Sequence, residues 1–192
     1  FGFFPSFSAG WIISEEDFFP ENVFISWLKT RFSYGFVGND QIGGDRFLYL
    51  PNSWRSGGYW VLGGYPFGNT NGSYADPHYS GYMEDEVGNP HVTWEKAQKS
   101  NLGIDIYMFD NRLTFTGDYF QEKRNNILWN RGTIPGIVAA DLAPANIGKV
   151  SNKGYELAIG WKDQLSHFLY GITFNLSYAK NKILFMDEPS HP

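Results

Sequence analysis

The residues of this chain best equipped for chemistry are its carboxylates, which cluster at Glu15-Glu16-Asp17 and Glu84-Asp85-Glu86. A glycosidase holds two carboxyl groups roughly 5 to 9.5 Å apart around a sugar bond. Adjacent residues in a turn and a loop do not offer that arrangement, and plain solvated charge is the simpler reading. The second cluster could bind Ca2+ through hard oxygen ligands. His78, His91, His167 and His191 lack the i, i+4 spacing of a helical metal pair and read as surface histidines. No Gly-x-x-x-x-Gly-Lys phosphate loop and no Gly-x-Ser-x-Gly elbow occurs. No catalytic residue, metal or cofactor is therefore expected. The suggestive set is aromatic: Trp54, Tyr59, Trp60, Tyr65, Tyr74 and Tyr82. Rings stack on sugar faces and anchor interfaces, so these are candidates for ligand or partner contact. The plainer reading is that they pack their own segment together or join an aromatic girdle.

The elements that would position these residues are strands, and Phe168–Tyr178 shows the pattern. Phe168, Tyr170, Ile172, Phe174, Leu176 and Tyr178 alternate with Leu169, Gly171, Thr173, Asn175 and Ser177. Side chains alternate across a strand, so one face is large and apolar and the other is mostly small and polar. About ten residues of tilted strand cross a bilayer, and this stretch has that length. A soluble sheet could show the same alternation, so the rest of the chain must decide.

Aromatic residues make up 19% of the chain and charged residues only 18%, with 22 glycines; this balance suits an antiparallel β architecture with platforms of rings. The net charge of −5 and the lack of a basic stripe argue against nucleic acid as a partner. The absence of cysteine removes disulfides and thiolate metal sites. No run approaches the roughly 18 apolar residues of a membrane helix. The chain opens mid-pattern at Phe1-Gly2-Phe3-Phe4, and both ends read as cuts through a longer protein.

Alternation places strands near 3–13, 28–38, 93–109, 112–129, 153–162 and 168–186. Ser14-Glu15-Glu16-Asp17 resembles a capping box opening one helical turn. Asp110-Asn111 reads as a two-residue turn, because both residues tolerate positive φ. Lys162–His167 reads as a second, polar turn. The alternation fails over 38–92 and again over Gly132–Gly148, where turn formers are dense. Short hairpins are expected around Arg46–Leu50 and Tyr59–Leu62. Long and short connections thus alternate, as in transmembrane barrels with long extracellular loops and short periplasmic turns. Lys29, Arg31, Asp105, Asp118 and Glu156 all fall on the less apolar faces. A wet lumen would receive them, leaving Phe32, Tyr34, Phe115, Trp161, Ile172, Phe174 and Leu176 to face lipid. Strands of about 17 residues also exceed the five or six usual in a sandwich.

At this point the chain resembles a family, the SusC/RagA-type TonB-dependent outer-membrane transporters, in the C-terminal part of their β-barrel. The resemblance rests on Phe4-Pro5-Ser6-Phe7-Ser8-Ala9-Gly10-Trp11, Ser14-Glu15-Glu16-Asp17-Phe18-Phe19 and Ser33-Tyr34-Gly35 with Gly38-Asn39. It continues through Gly88-Asn89-Pro90, Trp94-Glu95-Lys96, Asn101-Leu102-Gly103-Ile104-Asp105, Asp118-Tyr119-Phe120, Asn152-Lys153-Gly154-Tyr155-Glu156 and Phe174–Lys182. It implies an all-β antiparallel meander of about six long strands taken from a barrel of about 22. Plug domain and TonB box would lie outside this chain, and 38–92 would form a long extracellular loop region. It further implies a bacterial outer-membrane location, TonB-driven uptake of an oligosaccharide or peptide, and a SusD-like surface lipoprotein as lid. A soluble, aromatic-rich β-sandwich that binds glycans is the alternative, and a β-rich glycosidase a third reading. Six strands carrying these charges on one face could not close around a space wide enough for water, so an open sheet is expected.

Overall fold

A computed structural model describes residues 2–20, 24–41, 47–50, 54–57, 65–66, 78–79, 81–84, 86–135 and 141–188. The strands are β1 (Ser6–Ile12), β2 (Ile25–Asn39), β3 (Trp54–Gly57), β4 (Tyr65–Pro66), β5 (His78–Tyr79), β6 (Gly81–Glu84), β7 (Glu86–Val87), β8 (Glu95–Met108), β9 (Leu113–Trp129), β10 (Asp141–Leu142), β11 (Ala145–Leu165) and β12 (Phe168–Phe185). The chain divides into two compact units. One comprises Phe1–Asp40, Trp94–Ile127 and Ile147–Met186; the other comprises Gln41–Thr93, Leu128–Asn146 and Asp187–Pro192.

The first unit is built on a six-stranded sheet in the order β1-β2-β8-β9-β11-β12. The order follows the sequence, and the ladders β1–β2, β2–β8, β8–β9 and β11–β12 are antiparallel. β1 and β12 are the two edges and do not pair with each other, so the sheet is open. At the β8–β9 corner Met108 pairs with Leu113 and the Arg112 N–H donates to the Phe109 carbonyl at 3.1 Å. Asp110 and Asn111 have φ of 56° and 65° there, as the sequence predicts.

Four expectations need correction. β11 begins at Ala145 and ends at Leu165, well beyond 153–162, which shortens the expected irregular segment and reduces the second turn to Ser166-His167. The residues added at its start are mostly polar or small, and the apolar Ile147 and Val150 fall at positions of opposite parity, so their alternation is faint in the sequence. β2 likewise starts at Ile25, three residues before the expected 28. The helical turn is a 3-10 turn, Ile13–Glu15, without a side-chain cap. Ser14 instead accepts the Leu28 N–H at 3.1 Å, satisfying a strand donor rather than a helix one. Finally, Phe47–Leu50 is a turn, closed by the Leu50 N–H on the Phe47 carbonyl at 2.8 Å, and not a hairpin strand. Arg46 and the expected hairpin at 59–62 lie outside the described residues.

In the second unit β3 pairs with β6 and β4 with β5, both antiparallel, while β10 pairs with β7 in parallel. Leu48, Ala143 and (at the start of β11) Ala145 are buried.

Candidate functional site: a two-faced sheet

Register decides which side chains meet. Arg31 pairs with Gly103, and Gly103 pairs with Asp118 on the next strand. With no side chain at Gly103, the Arg31 guanidinium lies across the middle strand. Its Nε donates to Asp105 Oδ2 at 2.7 Å and one terminal nitrogen donates to Asp118 Oδ2 at 3.0 Å. A Cβ on Gly103 would sit 2.7 Å from Asp118 Oδ1 and 2.8 Å from the guanidinium carbon. Charges continue along the same face towards the strand ends that lead into 40–94. Lys99 lies 3.5 Å from Glu122, Arg124 bridges Glu122 and Glu95, and Asn39 donates to Glu95 at 3.3 Å. On the far side of Asp118, Thr116, Glu156, Ala158, Asn175 and Ser177 help line a recess of about 340 Å³. The structure therefore brings Arg31, Asp105, Asp118 and Glu156 to one face, as the alternation requires. Lys29 joins them by its pairing with Asp105.

Phe120 belongs to this polar face and breaks its rule. Gly154 on β11 explains it: a Cβ there would lie 2.7 Å from the Phe120 ring, which covers the bare glycine backbone. No sequence signal exposes this pairing until the register is known.

The opposite face carries the apolar band. Phe32, Leu102 and Tyr119 align across three strands, and Tyr155 stacks on Tyr178 with ring centroids 5.5 Å apart. Leu28, Ile106 and Phe115 form another row, as do the pairs Ile159–Phe174 and Trp161–Ile172 on β11 and β12. Ile172 is 70% exposed and Phe174 59%; Phe32, Tyr34 and Leu176 are exposed as well, while Phe115 and Trp161 are half-buried. A sandwich would bury these side chains under a second sheet.

The candidate contact aromatics are less accessible to description. Tyr59, Trp60 and Tyr74 lie outside the described residues, and Trp54 and Tyr65 are placed only by backbone, in β3 and β4. Tyr82, on β6, is 73% exposed. Of the acidic cluster, Asp85 is not described. Among the described residues, no group of three or more His, Asp or Glu is placed to hold a metal ion.

Sequence reading missed three side chains that tie the second unit together. The Asn89 side-chain N–H donates to the Pro144 carbonyl at 2.9 Å, while its oxygen accepts the His91 N–H at 3.0 Å. Asn146 pairs with the backbone of Thr93 in both directions, each bond 2.8 Å. Asp187 accepts the Thr133 hydroxyl at 2.7 Å, and its carbonyl accepts the Gly132 N–H at 3.1 Å. Only Asn89, in Gly88-Asn89-Pro90, sits in a stretch whose turn chemistry invited a closer look.

A meander of long antiparallel strands with a charged face, an uncovered aromatic face and two open edges is the wall of a membrane β-barrel. The chain belongs to the family described as TonB dependent receptor-like, beta-barrel, whose profile matches residues 1–189. It is 32% identical over 184 residues to TonB-dependent receptor P39 of Formosa agariphila, covering 95% of this chain and 16% of that protein. It is also 32% identical over 184 residues to TonB-dependent receptor SusC of Bacteroides thetaiotaomicron, covering 95% of this chain and 17% of that one. The chain thus spans about a sixth of the length of these relatives. Its fold matches a structure of the RagAB peptide importer in the open-open state, with a TM-score of 0.73 and 23% identity over 95% of this chain and 18% of that one. The family consists of outer-membrane receptors, not enzymes, which places the chain in the bacterial outer membrane.

Proposed function

We propose that this chain is a stretch of the barrel wall of a TonB-dependent nutrient importer, with its apolar face on lipid and its charged face on the lumen. The observation that carries the reading is the height of the apolar band. Phe168 to Tyr178 on β12 spans ten residue steps. At ~3.4 Å per step and a tilt of about 40°, that is about 25 Å, the height of the lipid-facing band in such barrels. Tyr119, Tyr155 and Tyr178 mark one border of the band and Trp161, Tyr170 and Phe168 the other, as interfacial girdles do.

In this reading Phe32, Tyr34, Phe115, Trp161, Ile172, Phe174 and Leu176 contact outer-membrane lipid. Region 38–92 is an extracellular loop region, and Trp54, Tyr59, Trp60, Tyr65, Tyr74 and Tyr82 contact ligand or a SusD-like surface lipoprotein. TonB supplies the energy through parts of the protein beyond this chain. The cargo is an oligosaccharide or a peptide; the RagAB peptide importer among the structures of similar fold supports the second class.

This chain has no cysteine, so labelling offers a test once any cysteine elsewhere in the transporter is replaced. Single cysteines at positions 172 to 177 of the full-length transporter in liposomes should react with a water-soluble maleimide in alternation. Thr173→Cys, Asn175→Cys and Ser177→Cys should label, while Ile172→Cys, Phe174→Cys and Leu176→Cys should stay protected and respond to a lipid-phase quencher. Equal aqueous labelling at all six positions would exclude a lipid-facing band.

A further inference from the structure

We propose that Asn89 and Asn146 are positioning residues that clasp 86–93 and 141–146 into one mechanical unit. The two segments run side by side. β10 pairs with β7 through Asp141–Glu86 and Leu142–Val87, and the Ala143 N–H donates to the Val87 carbonyl at 3.0 Å. Pro144 then interrupts the ribbon, because it has no N–H to offer. The Asn89 side chain repairs the gap by donating to the Pro144 carbonyl. Two residues on, Asn146 pairs with both backbone groups of Thr93, as a strand neighbour would. Ala143 and Ala145, which flank the proline, are 4% and 5% exposed, and the Asn89–Pro144 bond between them is part-buried.

Every hydrogen-bonding group of Asn89 is engaged. Its N–H donates to the Leu48 carbonyl at 2.7 Å and its carbonyl accepts the Val92 N–H at 3.2 Å. Asparagine is required at both places for one reason: each site needs an acceptor and a donor on one short side chain. Aspartate keeps the acceptor and sets an oxygen against a carbonyl oxygen where the donor was.

The consequence rests on the proposed function, in which both segments are outward loops. A ligand or lid that displaces 86–93 would then move 141–146 with it, rather than one loop at a time.

The discriminating variant is Asn89→Asp in the full-length transporter, read by hydrogen exchange without ligand. Aspartate preserves the local turn onto His91 and removes only the bond to Pro144. Exchange of the peptide spanning 141–146 should rise several-fold, roughly what one lost hydrogen bond confers, with β8 and β9 unchanged. Asn146→Ala, which removes the acceptor of the Thr93 N–H, should likewise raise exchange at Thr93. Oxidising a Val87→Cys/Leu142→Cys pair in the Asn89→Asp background should restore protection. An unchanged 141–146 peptide in Asn89→Asp would show that Asn89 shapes only its own turn, and overturns the clasp. Should that variant fail to assemble, the cysteine pair in the otherwise unaltered transporter decides. Oxidation that adds no protection fits segments already held as one; a large gain overturns the proposal. None of these readouts depends on lipid exposure or transport, so the clasp and the importer reading fail separately.

Discussion

The guanidinium of Arg31 reaches 3.0 Å to Asp118 across an intervening strand, and it does so through the space left by Gly103. Three residues that are far apart in sequence thus form one locked feature of the polar face. The arrangement puts one cation between two carboxylates, with Asp105 held at 2.7 Å on the same guanidinium.

Filling the glycine position tests it. Gly103→Val must displace both Arg31 and Asp118, and overpacking of this kind costs about 1–3 kcal/mol. Urea unfolding of the full barrel in detergent should show the loss, with Gly171→Val on the β12 edge costing less. A Cβ at Gly171 meets nothing closer than 3.4 Å.

Removing the cation is a separate experiment. Arg31→Met keeps the bulk of the stem and leaves Asp105 and Asp118 facing each other without the cation between them. Stability should fall at neutral pH and recover in part when Asp105→Asn is added. A double-mutant cycle in which the two changes simply add would show that Arg31 and Asp105 are not coupled.

On the other face, Phe174→Arg should lower folding free energy in lipid by about 2–4 kcal/mol, the cost of an arginine near the bilayer midplane. Asn175→Arg, one residue away and on the polar face, should be much milder. Equal effects would contradict the assignment of faces.

The β8–β9 corner depends on backbone conformation rather than packing. Asn111 has φ of 65°, a region that a β-branched side chain enters at a cost of roughly 1–2 kcal/mol. Asn111→Val should therefore destabilise the barrel or slow its assembly, and Asn111→Gly should be tolerated. Refolding into detergent micelles followed by heat-modifiability on gels reads both.

The open edges predict how the chain behaves alone. β1 and β12 expose ladder groups with no outer neighbour among the described residues, and such edges recruit other chains. The 192-residue chain expressed by itself should scatter light and elute in the void volume in plain buffer. A monodisperse soluble monomer would be incompatible with a wall segment.

What the sequence determined by itself was parity. Alternation in Phe168–Tyr178 and its counterparts already separates Phe174 from Asn175 and Phe32 from Arg31, because a strand has only two sides. The turn at Asp110-Asn111 was equally legible, since few residue pairs accept positive φ in succession. Register was not. A strand can slide by two residues against its neighbour and keep every side chain on its face. Only the paired sheet decides that Arg31 meets Asp118 over Gly103, or that Phe120 finds Gly154. The same limit hid the start of β11, where Ile147 and Val150 have opposite parity among small and polar residues and carry no periodic contrast. It hid the clasp as well, because Asn89 and Asn146 act on partners more than fifty residues away, and no local pattern encodes a bond whose acceptor is another segment's backbone.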